Sequence, residues 1–343
     1  MSLSRRDILK IAGAAGVVSM APSVAGAQVA GIEKKSVTIA VGGQALVYYL
    51  PLSIADLKGF FKEEGLDVKI ADFAGGSRAL QAVVGGSADV CSGAFEHTIS
   101  LQHRRQNYSA FVMQGRAPMI TLAVSKKNMP DYKEPADLKG KKIGVTAPGS
   151  STNMLVNFFL AQHGLKASDV SIIGIGAGTG AVNAIRSGQV DAISNVDPVI
   201  STLEHEDLLE VIVDTRKLED SEAIFGGPMP SSCLYASQKF IEENPNTCQA
   251  LTNAIIKADQ WIQSASSEEI MAVVPEQYLL GNPEVYRRAL EASLEALSPD
   301  GVIDAAGPQT ALNALDAYNE EIQADKIDLS KIWTDQFVKQ ASS

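Results

Sequence analysis

Short segments of glycine and small polar residues recur where the sequence predicts that a strand ends and a helix begins. Two of them are Gly75-Gly76-Ser77 and Ser150-Ser151-Thr152-Asn153. The free N–H groups and the positive dipole end of a helix attract anions, and one exposed helix end contributes roughly 0.3–1 kcal/mol. Several such ends, with side-chain hydrogen bonds, can supply much of the about 8 kcal/mol that micromolar binding of a small anion requires. Further segments of this kind are residues 42–49, 93–96, 115–116, Thr179 with its neighbouring glycines, and 195–198.

A serine or threonine in these segments also has a simpler interpretation, which is that it caps its own helix. Ser77 is predicted to be the N-cap of a helix over residues 78–84. One cap requires one residue, whereas residues 150–153 provide four polar residues in succession. We therefore interpret the second segment as a binding loop.

Aromatic and charged side chains accompany the same segments. Tyr48, Tyr49 and Phe95 fall in loops at these strand ends, where they can line a flat apolar slot or simply pack. Arg116 can pair with a carboxylate or sulfonate of a ligand, or with an acidic group at the protein surface. Glu96 would oppose a uniformly positive site if its side chain points inward.

The sequence offers no motif that indicates catalysis. G-x-S-x-G, S-x-x-K and H-E-x-x-H do not occur in it. GAGTGA at 176–181 satisfies G-x-G-x-x-A, but the corresponding segment of the repeat described next lacks that pattern, so no nicotinamide cofactor is expected. The cysteines Cys91, Cys233 and Cys248 have no metal-binding spacing and are expected to be buried and inert. We predict no catalytic residue, metal or cofactor.

The sequence contains an internal repeat. Gly76 aligns with Gly178, and the match continues without a gap to Asp89 and Asp191. Each copy follows a short apolar run, a glycine-containing loop and an amphipathic stretch that ends in glycine, which predicts a β-α-β-α-β unit of about 52 residues. The repeated glycines Gly86 and Gly188 and the two aspartates are predicted to end helices and to fix turns rather than to touch ligand.

Two similar halves predict an α/β protein with two Rossmann-like lobes of mostly parallel sheet, joined by two crossing strands that form a hinge. A chain of 343 residues exceeds the usual size of a single core, which agrees with two domains. Lobe one is predicted to cover residues 28–125 and 230–343, including a helical C-terminal tail. Lobe two is predicted to cover residues 126–229.

Residues 1–27 have the features of a signal peptide. Arg5-Arg6 precedes a modest apolar segment, and Ala25-Gly26-Ala27 provides a cleavage site, which together indicate the twin-arginine export route. The apolar run is shorter than the roughly 20 residues that a membrane helix requires. No cysteine follows the cleavage site, so we expect a soluble periplasmic protein without a lipid anchor that begins near Gln28.

The net charge of the chain limits the binding partners that can be expected. The formal net charge is −11, and three basic groups and one acidic group lie within the signal peptide. Such an acidic chain has no electrostatic reason to bind nucleic acid. A locally positive pocket is still compatible with this composition.

Several segments resemble one known family. DLKGKKIGV (137–145), PGSSTNMLVNFFLAQHGL (148–165) and GAVNAIRSGQVDAI (180–193) are similar to solute-binding proteins of ABC importers for nitrate, sulfonates, taurine and thiamine precursors. GFFKEEGLDVKI (59–70) and ASQKFIEENP (236–245) fit the same family. The resemblance covers essentially the whole mature chain and implies the type II periplasmic-binding-protein fold with ligand between the lobes. It implies ligand contacts at Gln44, Tyr48, Tyr49, Gly76, Ser77, Gly93, Phe95, Ser150, Ser151, Thr152, Asn195 and Asp197, to which the residue pattern adds Arg116, Asn153 and Thr179.

The function implied is a monomeric periplasmic receptor that traps a small organic anion and passes it to a membrane permease and its ATPase. A sulfonate is the first choice of ligand, and an aromatic carboxylate is the second because of the loop aromatics. An enzyme on the same scaffold that acts on a pyrimidine or related metabolite is the alternative. The thiamine-precursor synthases of this superfamily carry a cysteine-rich motif, which three scattered cysteines do not reproduce. A sensory partner that presents ligand to a membrane kinase shares the same binding physics.

Overall fold

The computed structural model describes Val29 and residues 31–341 of the chain. The predicted signal peptide lies outside these residues. Within the described part, no helix is both long and apolar enough to cross a membrane.

Two five-stranded sheets of the same topology form the two lobes. The strands in chain order are β1 Ser36–Val41, β2 Asp67–Asp72, β3 Val90–Ala94, β4 Tyr108–Met113, β5 Ile120–Ser125, β6 Lys142–Val145, β7 Ser171–Gly174, β8 Ala192–Val196, β9 Leu209–Asp214 and β10 Ser232–Ser237. The orders are β2-β1-β3-β10-β4 and β7-β6-β8-β5-β9. One strand in each sheet, β10 or β5, runs antiparallel to its two neighbours. This is the mostly parallel, doubled α/β architecture that the repeat predicts.

Helices cover both sheets. They are α1 Leu50–Leu57, α2 Phe60–Glu63, α3 Gly76–Val84, α4 Glu96–His103, α5 Ser151–Gln162, α6 Thr179–Ser187, α7 Val199–His205, α8 Leu218–Phe225, α9 Gln238–Glu243, α10 Pro245–Ser264, α11 Ser267–Val273, α12 Pro283–Ser293, α13 Gly307–Asp316 and α14 Gln336–Ala341. The central strands β3, β5 and β8 are buried along their whole length. Strands covered on both faces are expected to be continuously apolar rather than alternating, as these sequences largely are.

The repeated aspartates hold equivalent turns in the two lobes. Asp89 accepts a hydrogen bond from the Thr38 N–H at the start of the first sheet, at 2.8 Å. Asp191 accepts one from the Lys142 N–H at the same distance of 2.8 Å. Both carboxylates are therefore engaged in joining strands within their own lobe.

The chain passes from one lobe to the other at different residues from those that the sequence pattern predicts. Strand β5 pairs with β8 and β9, so the chain enters the second sheet at Ile120 rather than at residue 126. The two connections between sheets are then residues 114–119 and 226–231. Strands β4 and β5 are both apolar, and this pattern does not reveal to which sheet each strand belongs.

The helical tail packs on both lobes rather than on lobe one alone. α10 packs against α1, α2 and β4 of the first lobe, but α12 packs against α7 of the second lobe. α13 lies between α4 and α5 and contacts both. The tail therefore connects the lobes in addition to the two chain crossings.

A buried acidic residue in α10 gives the first testable prediction. Asp259 is fully buried, and neither carboxylate oxygen has a hydrogen-bond partner. Burial, and then the Asp300 carboxylate, raise the pKa of Asp259 well above its ordinary 3.8. A raised pKa means that ionisation favours the unfolded chain, so this group lowers the free energy of unfolding as the pH rises above that ordinary value. Asp259→Asn removes this effect. The free energy of unfolding of the variant minus that of wild type is therefore expected to increase from about pH 4 to about pH 7, by up to about 1.4 kcal/mol per pH unit.

Urea denaturation at both pH values measures this difference. Asp131→Asn, at an exposed position, is the control and is expected to show the same small effect at each pH. A stability difference for Asp259→Asn that does not change with pH would contradict the prediction.

Candidate ligand-binding site

The lobes meet through the loops that precede α3 and α5. The Ser77 hydroxyl donates a hydrogen bond to the Pro148 carbonyl of the second lobe at 2.9 Å. Gly75 approaches that lobe so closely that a Cβ atom on it would lie 2.7 Å from the Cβ of Ala147. The predicted segments therefore face each other, with the N-termini of α3 and α5 at the boundary between the lobes.

Ser77 is not the N-cap of its helix, so that prediction is wrong. α3 begins at Gly76, and its N-cap is Gly75. Hydrophobic periodicity locates a helix end only to within one or two residues, and this shift moves Ser77 into the first turn. Its hydroxyl is thereby free to bond across the interlobe boundary.

The prediction of a loop at 150–153 is wrong, because Ser150 is the N-cap of α5 and residues 151–153 form its first turn. Three of the four polar side chains in this segment bond within their own lobe. Ser150 Oγ lies 2.8 Å from the Thr152 hydroxyl. Thr152 accepts a hydrogen bond from the Thr146 N–H at 3.0 Å, and Asn153 Oδ1 accepts one from the Gly149 N–H at 2.9 Å. These three side chains shape the segment.

Ser151 is the fourth residue of this segment and the first of α5, and its hydroxyl reaches the first lobe. Burial raises the pKa of Tyr48 well above 10.0, and a hydrogen bond between the Tyr48 and Ser151 hydroxyls lowers it only in part. Tyr48 and Tyr49 are both buried, with ring centroids 4.7 Å apart and planes at 81°. Burial raises the pKa of Tyr49 as well, so both phenols are neutral at neutral pH. The two tyrosines thus provide an apolar wall with neutral hydroxyl groups.

Glu96 and His97 begin α4 beside these tyrosines. Glu96 is only 3% exposed, its Oε1 has no hydrogen-bond partner, and burial raises its pKa from 4.5 to about 7. His97 Nδ1 lies 3.1 Å from the Tyr235 hydroxyl, while Nε2 has no partner. Burial lowers the pKa of His97 from 6.5 to about 4, so the ring is neutral at neutral pH. A Cβ atom on Gly76 would lie 3.4 Å from the His97 ring, which places His97 at the N-terminus of α3.

Two predicted contacts lie elsewhere. Arg116 is exposed on the first connection between the sheets, and its Nε donates to the Glu295 carbonyl at 2.9 Å. Thr179 is exposed as the first residue of α6. The structure does not bring either of them to the Tyr48–Ser151 contact.

Gly93 and Phe95 pack within the first lobe. A Cβ atom on Gly93 would lie 2.9 Å from the Tyr235 ring, so the glycine makes room for that tyrosine. Phe95 has no exposed surface and belongs to the core. A tyrosine in a buried strand, such as Tyr235, has no sequence signal that separates it from other core residues.

Asp197 contacts the first lobe with its backbone rather than with its carboxylate. Its carbonyl accepts a hydrogen bond from the Val47 N–H at 3.0 Å. Its carboxylate accepts one from the Ser201 N–H at 2.8 Å and lies 3.4 Å from Arg216. The charge of Asp197 is therefore engaged away from the facing loops.

Asn195 and Gln44 hold loops at the boundary. Asn195 Nδ2 donates to the Gly176 carbonyl at 3.1 Å and has no exposed surface. The Gln44 backbone N–H donates to Asp72 Oδ1 at 3.0 Å. Both residues fix the backbone of a boundary loop in position.

The donor set does not suggest a metal centre. Among the described residues, no group of three or more histidine, cysteine, aspartate or glutamate side chains could hold a metal ion. The three cysteines are free and buried, and burial raises the pKa of Cys91 and of Cys248 to about 12. Thiols of this kind stay protonated and are poor nucleophiles.

Solved structures share the fold. A protein of Bordetella bronchiseptica RB50 is 66% identical, and the match covers 91% of this chain and 98% of that one with a TM-score of 0.90. The alkanesulfonate-binding protein of Xanthomonas axonopodis pv. citri is 18% identical over 89% of this chain and 100% of its own, with a TM-score of 0.67. The periplasmic nitrate-binding protein of Synechocystis PCC 6803 is 16% identical over 91% and 89%, with a TM-score of 0.69. These similarities confirm the predicted fold class.

Curated relatives include both binding proteins and enzymes. A binding protein of Bacillus subtilis is 24% identical over 271 residues, which are 75% of this chain and 76% of the relative. A 4-amino-5-hydroxymethyl-2-methylpyrimidine phosphate synthase of Aspergillus parasiticus is 25% identical over 276 residues, which are 77% of each chain. The model of the NMT1-like family matches residues 30–275. The chain therefore belongs to the NMT1-like family.

Proposed function

We propose that this protein is the substrate-binding component of an ABC importer and captures a small organic anion between its lobes. The observation that carries the proposal is the meeting of the α3 and α5 N-termini across the lobe boundary, where Ser77 bonds to Pro148. Helix N-termini offer free N–H donors and a positive dipole end, which suit a sulfonate or carboxylate. A sulfonate is the first choice of ligand, and an aromatic carboxylate beside Tyr48 and Tyr49 is the second.

Capture would work by hinge closure. The chain crosses between the sheets at residues 114–119 and 226–231, where it would bend, and the contacts of α12 and α13 with the second lobe would shift with this movement. A ligand that touches both lobes stabilises the closed arrangement because the bridging contacts exist only there. The closed form would then be presented to a membrane permease and its ATPase.

The N-terminal sequence supports a periplasmic location. Arg5-Arg6, the apolar segment and the Ala25-Gly26-Ala27 site support export by the twin-arginine route. We propose that the mature protein is a periplasmic monomer. Fractionation of cells that lack the twin-arginine translocase, compared with wild type, tests the route.

An enzyme on this scaffold is the second candidate, and the similarity to a pyrimidine phosphate synthase favours it. Against it, the cysteines are scattered and buried, with raised pKa values. Turnover of a pyrimidine or related metabolite by the purified protein would support the enzyme and contradict the receptor.

Thermal denaturation in the presence of sulfonates, carboxylates and nitrate tests the proposal. A ligand at a hundredfold excess over its Kd is expected to stabilise the protein by about 2.7 kcal/mol. Stabilisation by at least one anion, with a more compact shape in small-angle X-ray scattering, is the expected result. Absence of both effects across the panel would contradict anion capture.

Ser151 gives a further prediction. Ser151→Ala removes the hydroxyl that reaches Tyr48 and Glu96, and it is expected to weaken binding of the stabilising anion about tenfold, or about 1.4 kcal/mol. Thr152→Ala is the matched comparison. It leaves the buried Thr146 N–H without its acceptor and is expected to lower stability by about 1–3 kcal/mol. Equal loss of affinity and stability in both variants, measured by calorimetry and urea denaturation, would contradict this division of roles.

A further inference from the structure

The carboxylate of Glu96 lacks a counter-charge at the lobe boundary. Its Oε1 has no hydrogen-bond partner although the residue is 97% buried, as its 3% exposure shows. The groups that donate to it are its own backbone N–H and the Ser151 hydroxyl. Within the described part of the chain, no lysine, arginine or histidine forms an ion pair with it. An acceptor atom is thus buried at the predicted ligand site with its hydrogen-bonding capacity unused.

The titratable groups around Glu96 are neutral at neutral pH. Tyr48, Tyr49, Cys233 and Tyr318 each have a raised pKa, with burial as the main cause and the Glu96 charge contributing to each. His97, adjacent in α4, has a pKa lowered by burial to about 4. Arg104, whose charge acts on His97, is exposed beyond the other end of α4. Among residues 31–341, no cation therefore offsets a buried Glu96 carboxylate.

The groups around Glu96 favour a hydrogen-bond donor as the missing partner of its carboxylate. Both protein groups that reach Glu96 donate hydrogen bonds, and the N-terminal position in α4 also favours the ionised carboxylate. A buried carboxylate is costly unless it is paired, and an N–H group of a ligand would pair with it in a charge-assisted hydrogen bond. Ser151 is the first residue of α5, so Glu96 lies beside the N-terminus of that helix.

We infer that Glu96 binds an amino or ammonium group, so the captured molecule is an organic anion that also carries an N–H donor. This inference rests on the proposed function and narrows its ligand class to aminosulfonates and amino-substituted acids. The acidic group would lie at the N-termini of α3 and α5, and the amino group would lie at Glu96. Tyr48 and Tyr49 would line the apolar part between them.

Calorimetry with matched pairs of compounds tests the inference. Taurine is compared with ethanesulfonate, and 4-(aminomethyl)benzoate with 4-methylbenzoate, so that each pair differs in the amino group. At least one amino compound is expected to bind wild type at least tenfold more tightly than its partner. Glu96→Gln is expected to reduce that preference below threefold, and Glu219→Gln, at an exposed position on α8, is expected to leave it unchanged.

The pH dependence gives a second readout. An ammonium group stabilises the ionised form of Glu96 and lowers its pKa from about 7 on binding. The affinity for the amino compound is therefore expected to rise from about pH 6 to about pH 8 with release of protons, and Glu96→Gln is expected to abolish the rise.

Two results would overturn the inference. If the methyl or unsubstituted partners bind as tightly as the amino compounds, Glu96 does not select an amino group, while anion capture stands. If wild type binds neither amino compound, the inference fails, and the wider anion panel decides the proposed function separately. Thermal denaturation of Glu96→Gln verifies that the variant is folded.

Discussion

Replacing Ala177 with leucine is expected to weaken ligand binding about a hundredfold, or roughly 2.7 kcal/mol, while both lobes stay folded. Ala177 lies in the second lobe before α6, and a Cβ atom on Gly43 of the first lobe would lie 2.6 Å from its Cβ. The two loops are thus in contact, and a longer side chain at residue 177 is expected to hold them apart. A ligand that requires both lobes loses affinity in proportion to the population of the closed state. Calorimetry with the anion that most stabilises the protein measures the loss.

A matched substitution outside the boundary is the control. Ala167 is exposed in the second lobe between α5 and β7, and Ala167→Leu is expected to leave the affinity unchanged. Small-angle X-ray scattering with ligand is expected to show an open shape for Ala177→Leu and a closed shape for the control. Wild-type affinity in Ala177→Leu would mean that binding does not need the lobes to close.

Arg216→Met is expected to lower the free energy of unfolding by about 3–5 kcal/mol, the usual effect of removing one partner from a buried ion pair. Arg216 Nη2 lies 2.6 Å from Asp214, and Nη1 lies 2.9 Å from Glu204 and 3.4 Å from Asp197. The Asp197 side chain is fully buried, and burial already raises its pKa despite the opposing effect of Arg216. Without the guanidinium, Asp197 stays buried without a counter-charge or takes up a proton. Urea denaturation at neutral pH measures the effect.

An exposed arginine provides the comparison. Arg288 is 68% exposed and pairs with Glu284 on the surface of α12, so Arg288→Met is expected to cost less than about 1 kcal/mol. Adding Asp197→Asn to Arg216→Met is expected to restore part of the lost stability, because it removes the uncompensated charge. Similar costs for Arg216→Met and Arg288→Met would contradict a buried ion-pair role for Arg216.

The sequence predicts the doubled fold because each repeat carries its own turn signals. Asp89 and Asp191 bond to equivalent strands, and the two sheets have the same order. The repeat matches α3 with α6 rather than with α5, so the contact between the loops before α3 and α5 requires only that the C-terminal strand ends of the two sheets face each other. Local pattern and lobe symmetry are sufficient for these features.

The direction of individual side chains could not be predicted in the same way. Thr152 and Ser151 are adjacent hydroxyl residues, yet Thr152 bonds to the Thr146 N–H, whereas Ser151 reaches the other lobe. Arg116 lies near the hinge in sequence but points to the Glu295 carbonyl. These differences depend on which helix face meets a neighbour, which is a tertiary property. Glu96 is the converse case, because only its burial and its unpartnered oxygen make it a candidate for ligand recognition.

A crystal structure with the anion that stabilises the protein most is the most direct test of the central claim, which is that the ligand is gripped by helix N-termini of both lobes. We predict electron density between the N-termini of α3 and α5, with the acidic group within hydrogen-bond distance of backbone N–H groups from both helices and with Ser151 in contact. Ligand density on one lobe alone, such as in the apolar groove formed by Phe158, Phe159 and Ile224 on the second lobe, would contradict it.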